Sequence, residues 1–178
     1  MDVQPRSLTA EPPGRGDIAE AGRRGDSMEV PFMRIRGEGE EMKRAILIVD
    51  DEKRVLFVLR NALMKLEDGF EVLTAATAGE GLRKVEEVTF DLIITDLIMP
   101  GMDGIEFTER IREMDDSPAV VWMTAYGCPS FQDDADRLRV YRCIEKPLEI
   151  GEFRRVARQA LTEGGQGGDG GSEFDIAS

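Results

Sequence analysis

The run DLIITDLIMPGMDGIEFTERIREM, residues 91–114, carries an apolar stretch, a turn and an amphipathic stretch in sequence. Leu92 to Thr95 is short, β-branched and apolar without alternation, the pattern of a strand covered on both faces. Pro100-Gly101 and Asp103-Gly104 are turn-forming pairs. From Gly104 to Met114 the apolar residues Ile105, Phe107, Ile111 and Met114 make one side of a helix. A buried strand that leads through a polar turn into a helix is the repeating unit of a parallel α/β sheet.

The same unit recurs on both sides. Ala45–Val49 reads as a strand, followed by a helix from Glu52 to Leu66 whose broad stripe is Val55, Leu56, Val58, Leu59, Ala62, Leu63 and Leu66. Phe70–Ala75 reads as a strand and Gly79–Val88 as a helix presenting Leu82, Val85 and Glu86. Ala119–Met123 is the fourth strand. A polar helix from Ser130 to Leu138 follows, with only Phe131, Ala135 and Leu138 to anchor it. Arg139–Ile144 is the expected fifth strand and Ile150–Leu161 the closing helix. Strict alternation with short loops predicts one doubly wound parallel sheet with right-handed crossovers.

The chain has 178 residues, enough for one core with tails. The expected domain spans 44–162. Residues 1–43 are rich in Gly, Pro, Arg and Glu, without helical or strand periodicity, and are expected to be a disordered or mis-assigned extension; Met42 is a candidate start. Residues 163–178, with GGQGGDGG, are expected to be a flexible tail. A net charge of −13 argues against a nucleic-acid surface, which needs clustered Lys and Arg. No apolar run reaches membrane-spanning length and the N-terminus is no secretory signal. Cys128 and Cys143 are too few for a disulfide framework; they read as inert, and the count fits a reduced cytoplasmic setting. There is no histidine, so any phosphohistidine chemistry must involve another protein.

The polar residues fall at telling places. Asp50 and Asp51 follow the first strand, Asp96 ends the third, Thr124 ends the fourth, and Lys146 follows the fifth. In an open parallel sheet, ligands bind beyond the carboxyl ends of the strands. Alone, each residue is ordinary, and an Asp after a strand is often only a helix cap. Together they place three carboxylates in one cleft. Two such charges 4 Å apart cost about 4 kcal/mol at an effective dielectric of 20, so the cluster needs cations. Lys146 is one; Mg²⁺ or Mn²⁺, hard ions that favour oxygen ligands, is the expected other. Zinc would want His or clustered Cys, and calcium more ligands than are evident. Asp96 is the candidate nucleophile toward phosphorus, with Asp50 and Asp51 on the metal and Thr124 as a hydroxyl donor to phosphoryl oxygens.

The segments 46–51 (ILIVDD), 91–104 (DLIITDLIMPGMDG), Met123-Thr-Ala125 and Glu145-Lys-Pro147 resemble the receiver domain of bacterial two-component response regulators, over about 120 residues. The resemblance implies the (βα)5 flavodoxin-like fold with strand order 2-1-3-4-5 and a phosphoacceptor at Asp96. It implies a metal held by Asp51 and Asp96, by Asp50 through water and by the backbone carbonyl of Ile98. It further implies a switch hydroxyl at Thr124, the conserved lysine at Lys146, and a cis bond before Pro147. The implied partners are a sensor histidine kinase or histidine phosphotransferase and an unknown downstream protein target.

The chain also departs from that family. Cys143 stands where Tyr or Phe is usual, three residues before the lysine, and Arg139-Val140 replaces a common Gly-Ala pair. Strand periodicity would put Tyr141 on the same face as Cys143. Tyr126 occupies a position that in the family influences access of water to the phosphoryl group. Nothing after the last helix is long enough for a DNA-binding module, so the expectation is a single-domain regulator or relay intermediate, catalysing at most its own phosphorylation and dephosphorylation. A phosphorylation-independent receiver-like interaction module is the first alternative. A metal-dependent aspartyl-phosphate phosphatase is the second, disfavoured because Ile98 stands where such enzymes carry a second acid.

Overall fold

Apolar runs without polar alternation have nowhere to lie but between two helical layers, and that is where the strands sit. The computed structural model describes residues 44–66, 70–114 and 118–163. The expected extension at 1–43 and most of the tail at 163–178 lie outside the described residues. The strands are β1 (Ala45–Val49), β2 (Glu71–Ala75), β3 (Leu92–Asp96), β4 (Ala119–Thr124) and β5 (Arg142–Glu145). They pair in parallel in the order β2-β1-β3-β4-β5. This is the doubly wound order expected. Every residue of β1, β3 and β4 is buried, whereas β2 and β5, at the sheet edges, are only partly so.

The helices are α1 (Lys53–Met64), α2 (Ala78–Glu87), α3 (Gly104–Met114), α4 (Gln132–Arg137) and α5 (Ile150–Glu163), with a 3-10 turn at Cys128–Phe131 ahead of α4. Alternate strand residues feed opposite layers. Ile46, Ile48, Ile94, Val121 and Met123 pack with Leu59, Leu63, Phe153 and Val156 of α1 and α5. Leu47, Val49, Ile93, Val120 and Trp122 pack with Val85, Phe107, Ile111 and Leu138 on the other side. Truncating a fully buried residue such as Leu63 to Ala would cost about 2–5 kcal/mol.

Local chemistry sets the helix ends. Thr77 caps α2 by accepting from the Glu80 N–H at 3.1 Å. Asp103 accepts from the Glu106 N–H at 2.8 Å at the start of α3. The expected stripe on α1 was too broad. Val58 is 48% exposed because it lies about a third of a turn from the direction shared by Leu59 and Leu63, and Phe57, on the far side, is 71% exposed. Glu86 and Met114 are likewise exposed, while Thr108 and Gly81 are buried between helix and sheet.

The fifth strand begins later than its sequence pattern indicated. Arg139 takes a left-handed φ of 51°, and the backbone N–H groups of Arg139 and Val140 bond back to Asp136 and Ala135. Those two residues close α4 and are not part of the ladder. Tyr141 consequently packs with the α1/α5 layer and Cys143 with the other layer. The expectation that they share a face is overturned, since strand alternation starts only at Arg142.

Candidate functional site

Parallel strands that all end on one side bring residues distant in sequence to one rim. Asp50, immediately after β1, is fully buried; its Oδ1 accepts from the Glu52 N–H at 2.8 Å. That bond orients the carboxylate within the turn, while Glu52, at the α1 N-cap, makes no side-chain cap bond. Asp51 is exposed in the same turn. Asp96, the last residue of β3, is 7% exposed, and its Oδ1 accepts from the Ile98 N–H at 3.3 Å. Lys146 joins the two ends: its Nζ lies 2.9 Å from Asp50 Oδ2 and 2.7 Å from Asp96 Oδ2. The Lys146 backbone N–H donates to the Thr124 carbonyl at 2.7 Å, and the Lys146–Pro147 bond is cis, as expected.

Asp50, Asp51 and Asp96 each place a carboxylate oxygen within 4.8 Å of the others, a donor set able to coordinate a divalent metal. Its all-oxygen composition suits a small hard cation. Burial is the largest influence on Asp50 and raises its carboxyl above the ordinary value, despite the hydrogen bonds from Lys146 and Glu52 that pull the other way. Burial alone would lower Lys146; the hydrogen bonds to Asp96 and Asp50, with their charges, outweigh it and hold the ammonium above its ordinary value. The rim therefore carries a committed cation beside a strained excess of anions.

Thr124 is fully buried at the end of β4, and its Oγ1 accepts from the Tyr126 N–H at 3.1 Å. In this arrangement the hydroxyl is an acceptor, so its own hydrogen remains available to an incoming oxygen. The Ile98 side chain is 49% exposed and supplies no acid two positions after Asp96. A groove of about 330 Å³, lined by Lys53, Phe57, Arg60 and Glu80 among others, includes none of these site residues. The site is an open rim, and chemistry locates it where concavity does not.

Three features escaped the sequence. Asp103-Gly104 reads as a turn-forming pair, yet in this turn only Gly101, at 83°, takes a positive φ. Gly104 is in α3, and a Cβ there would lie 2.2 Å from the Asp96 carbonyl oxygen, so its bareness lets the helix start against the acceptor residue. Thr108, four residues on, accepts from the buried Trp122 Nε1–H at 2.9 Å, which fixes that ring between α3 and β4. Its place on the buried side of α3, between Gly104 and Ile111, was the available signal. Finally, Cys128 and Cys143 are disulfide-bonded, which corrects the reading of two inert thiols. The bridge is a product of topology, because the two residues are 15 positions apart and meet only when the 3-10 turn packs beside β5.

Residues 46–158 match the family described as the response regulator receiver domain. The chain is 32% identical over 120 residues to sporulation initiation phosphotransferase F of Bacillus subtilis, covering 67% of this chain and 95% of that one. It is 33% identical over 121 residues to the chemotaxis protein CheY of the same organism, covering 67% of this chain and 99% of the relative. Among solved structures, a CheY-like receiver domain protein from Methanospirillum hungatei JF-1 superposes with a TM-score of 0.64 at 30% identity, covering 68% of this chain and 96% of the other.

Proposed function

Since the chain belongs to the response regulator receiver domain family, we propose that it receives a phosphoryl group on Asp96 and signals through protein–protein contacts. The observation that carries this reading is the Lys146 bridge, with Nζ 2.9 Å from Asp50 and 2.7 Å from Asp96, beside a third carboxylate. Asp51 and Asp96 would hold Mg²⁺ or Mn²⁺ directly, Asp50 through a water, and the Ile98 carbonyl would be a further ligand. Such an ion supplies positive charge to the phosphoryl oxygens.

The chain's own groups have separate tasks. An Asp96 carboxylate oxygen attacks phosphorus as the bond to the donor's nitrogen or oxygen breaks, giving an acyl phosphate. Lys146 moves its hydrogen bond from the carboxylate to a phosphoryl oxygen and offsets the added charge. Thr124 turns its hydroxyl hydrogen to another phosphoryl oxygen, which draws on the loop it shares with Tyr126. Membership of the receiver family favours a sensor histidine kinase or histidine phosphotransferase as donor, and the phosphohistidine belongs to that partner because this chain holds no histidine. Its output goes to a protein target without direct nucleic-acid contact, and a cytoplasmic setting fits such partners. Among the described residues no helix is long and apolar enough to cross a membrane.

The test is labelling by acetyl phosphate or a partner kinase. Label should enter the wild-type chain only with Mg²⁺ and should be absent from Asp96→Asn; intact labelling of that variant would defeat the proposal.

A further inference from the structure

We propose that Cys128 and Cys143 form a reversible dithiol–disulfide site, which takes a redox input from low-molecular-weight disulfides and clasps the segment after β4 to β5. The pair is built for repeated closure: its Cα atoms are 5.7 Å apart, inside the span of about 4.4–6.8 Å that a disulfide bridges without backbone movement. Both cysteines are half-buried, and Tyr126, Pro129, Ser130 and Glu145 around them are exposed. A small reagent can reach sulfur there, as it cannot in a core.

Position gives the bridge its meaning. Cys128 lies four residues after Thr124, and Cys143 three before Lys146. The bond thus ties the segment leaving the buried hydroxyl to the strand leading into the lysine. That segment is otherwise lightly held. The 3-10 turn at Cys128–Phe131 has no buried residue, and Gly127 before it takes a φ of 80°. Its other tie to β5 is the Cys128 N–H donating to Glu145 Oε1 at 2.9 Å, from an exposed carboxylate. Phe131, Ala135 and Leu138 anchor the chain further along. Opening the bridge therefore releases residues 126–130 while leaving the sheet intact.

The exchange closes chemically. One cysteine thiolate attacks a sulfur of the small disulfide and expels a small thiolate, which takes up a proton. The second cysteine then attacks the mixed disulfide and expels the second small thiol with the other proton. Two cysteine thiols are oxidised, one small disulfide is reduced to two small thiols, and excess small thiol reverses the sequence. On the cytoplasmic reading given above, on which this point rests, a standing structural disulfide is not expected, whereas a transient redox-sensing one is.

The experiment uses the full chain in buffers of graded oxidised and reduced glutathione, with alkylation and intact mass, followed by amide hydrogen exchange. The expected result is a reversible conversion between two alkylated thiols and none. On reduction, exchange at 126–130 should rise by about tenfold or more, with little change in β1 or β3. Cys128→Ser and Cys143→Ser should each capture one glutathione and lose the difference in exchange between the two buffers. A pair that stays oxidised in excess glutathione, a pair that never oxidises, or equal exchange in both states would overturn the proposal. A parallel titration with Mg²⁺ and beryllofluoride separates the two readings. If neither redox form responds to it, the phosphoryl assignment fails, and the exchange result still decides the thiol site.

Discussion

Replacing Lys146 with Met removes a charge while keeping a long apolar stem. Asp50, fully buried, loses its 2.9 Å partner, and Asp96 loses its 2.7 Å partner. Breaking a buried pair from one side typically costs about 3–5 kcal/mol. A ceiling applies, because an abandoned carboxylate can take up a proton. From the ordinary carboxyl value of 3.8, protonation costs about 4.4 kcal/mol at pH 7 and about 1.6 kcal/mol at pH 5. Burial already raises Asp50, so the true ceilings lie lower still.

The variant is therefore expected to lose about 2–4 kcal/mol at pH 7 and under about 2 kcal/mol at pH 5. The sign follows from linkage: with a raised carboxyl the folded state binds more protons than the unfolded one, and its stability falls as pH rises. In the wild type, Lys146 is raised above 10.5, so its pairing contribution is fully present below that value and lost only above it. Urea unfolding at pH 5, 6 and 7 without divalent metal, followed by fluorescence of the single tryptophan, measures the difference. Equal losses at pH 5 and 7, or none, would show that Lys146 does not hold Asp50 ionised. Adding Mg²⁺ at a hundredfold its dissociation constant should then return about 2.7 kcal/mol to a variant whose acidic cluster still binds it.

Gly104→Ala places a Cβ 2.2 Å from the Asp96 carbonyl oxygen and 2.8 Å from Leu97 Cα. It should cost about 1–3 kcal/mol or more and slow labelling of Asp96, whereas Gly79→Ala, with nothing within 4 Å, should be neutral to stabilising by up to about 1 kcal/mol. Chemical denaturation of both variants distinguishes a steric cause from a general dislike of substitution. Tyr141 is pushed up to about 12, first by burial and then by its hydrogen bond to Glu163. Its contribution to stability is present below 10.0 and disappears as pH rises through about 12. In a Tyr126→Phe background, Glu163→Gln should lower the phenolate absorbance transition without returning it fully to the ordinary value. Tyr126 is 68% exposed beside Thr124, and Tyr126→Ala should shorten the lifetime of phosphorylated Asp96 by roughly threefold, on the order of 0.6 kcal/mol of barrier. An unchanged lifetime in a hydrolysis time course would remove the ring from that role.

Periodicity alone sufficed for the sheet. The runs at 45–49, 92–94 and 119–123 are apolar throughout because both of their faces are covered, and such a pattern has one stable environment. The positions of Asp50, Asp51, Asp96, Thr124 and Lys146 at strand ends were equally legible, since chain direction in a parallel sheet sends every strand end to the same side. Edge elements were read less well. Arg139 and Val140 have strand composition, yet backbone bonds to Asp136 and Ala135 claim them for the end of α4. Val58 looked like core because a stripe drawn on residue type ignores where its margin meets solvent.

What the amino-acid order determined is the set of strand–turn–helix units and, through them, which polar groups share a rim. Those follow from local periodicity and chain direction, both written into neighbouring residues. The tertiary structure decided that Lys146 spans Asp50 and Asp96, that Gly104 must be bare against Asp96, and that Cys128 meets Cys143. Each of these is a distance between segments far apart in the chain. Such distances are set by how helices of given bulk settle on a twisted sheet, a property that no local stretch of residues carries.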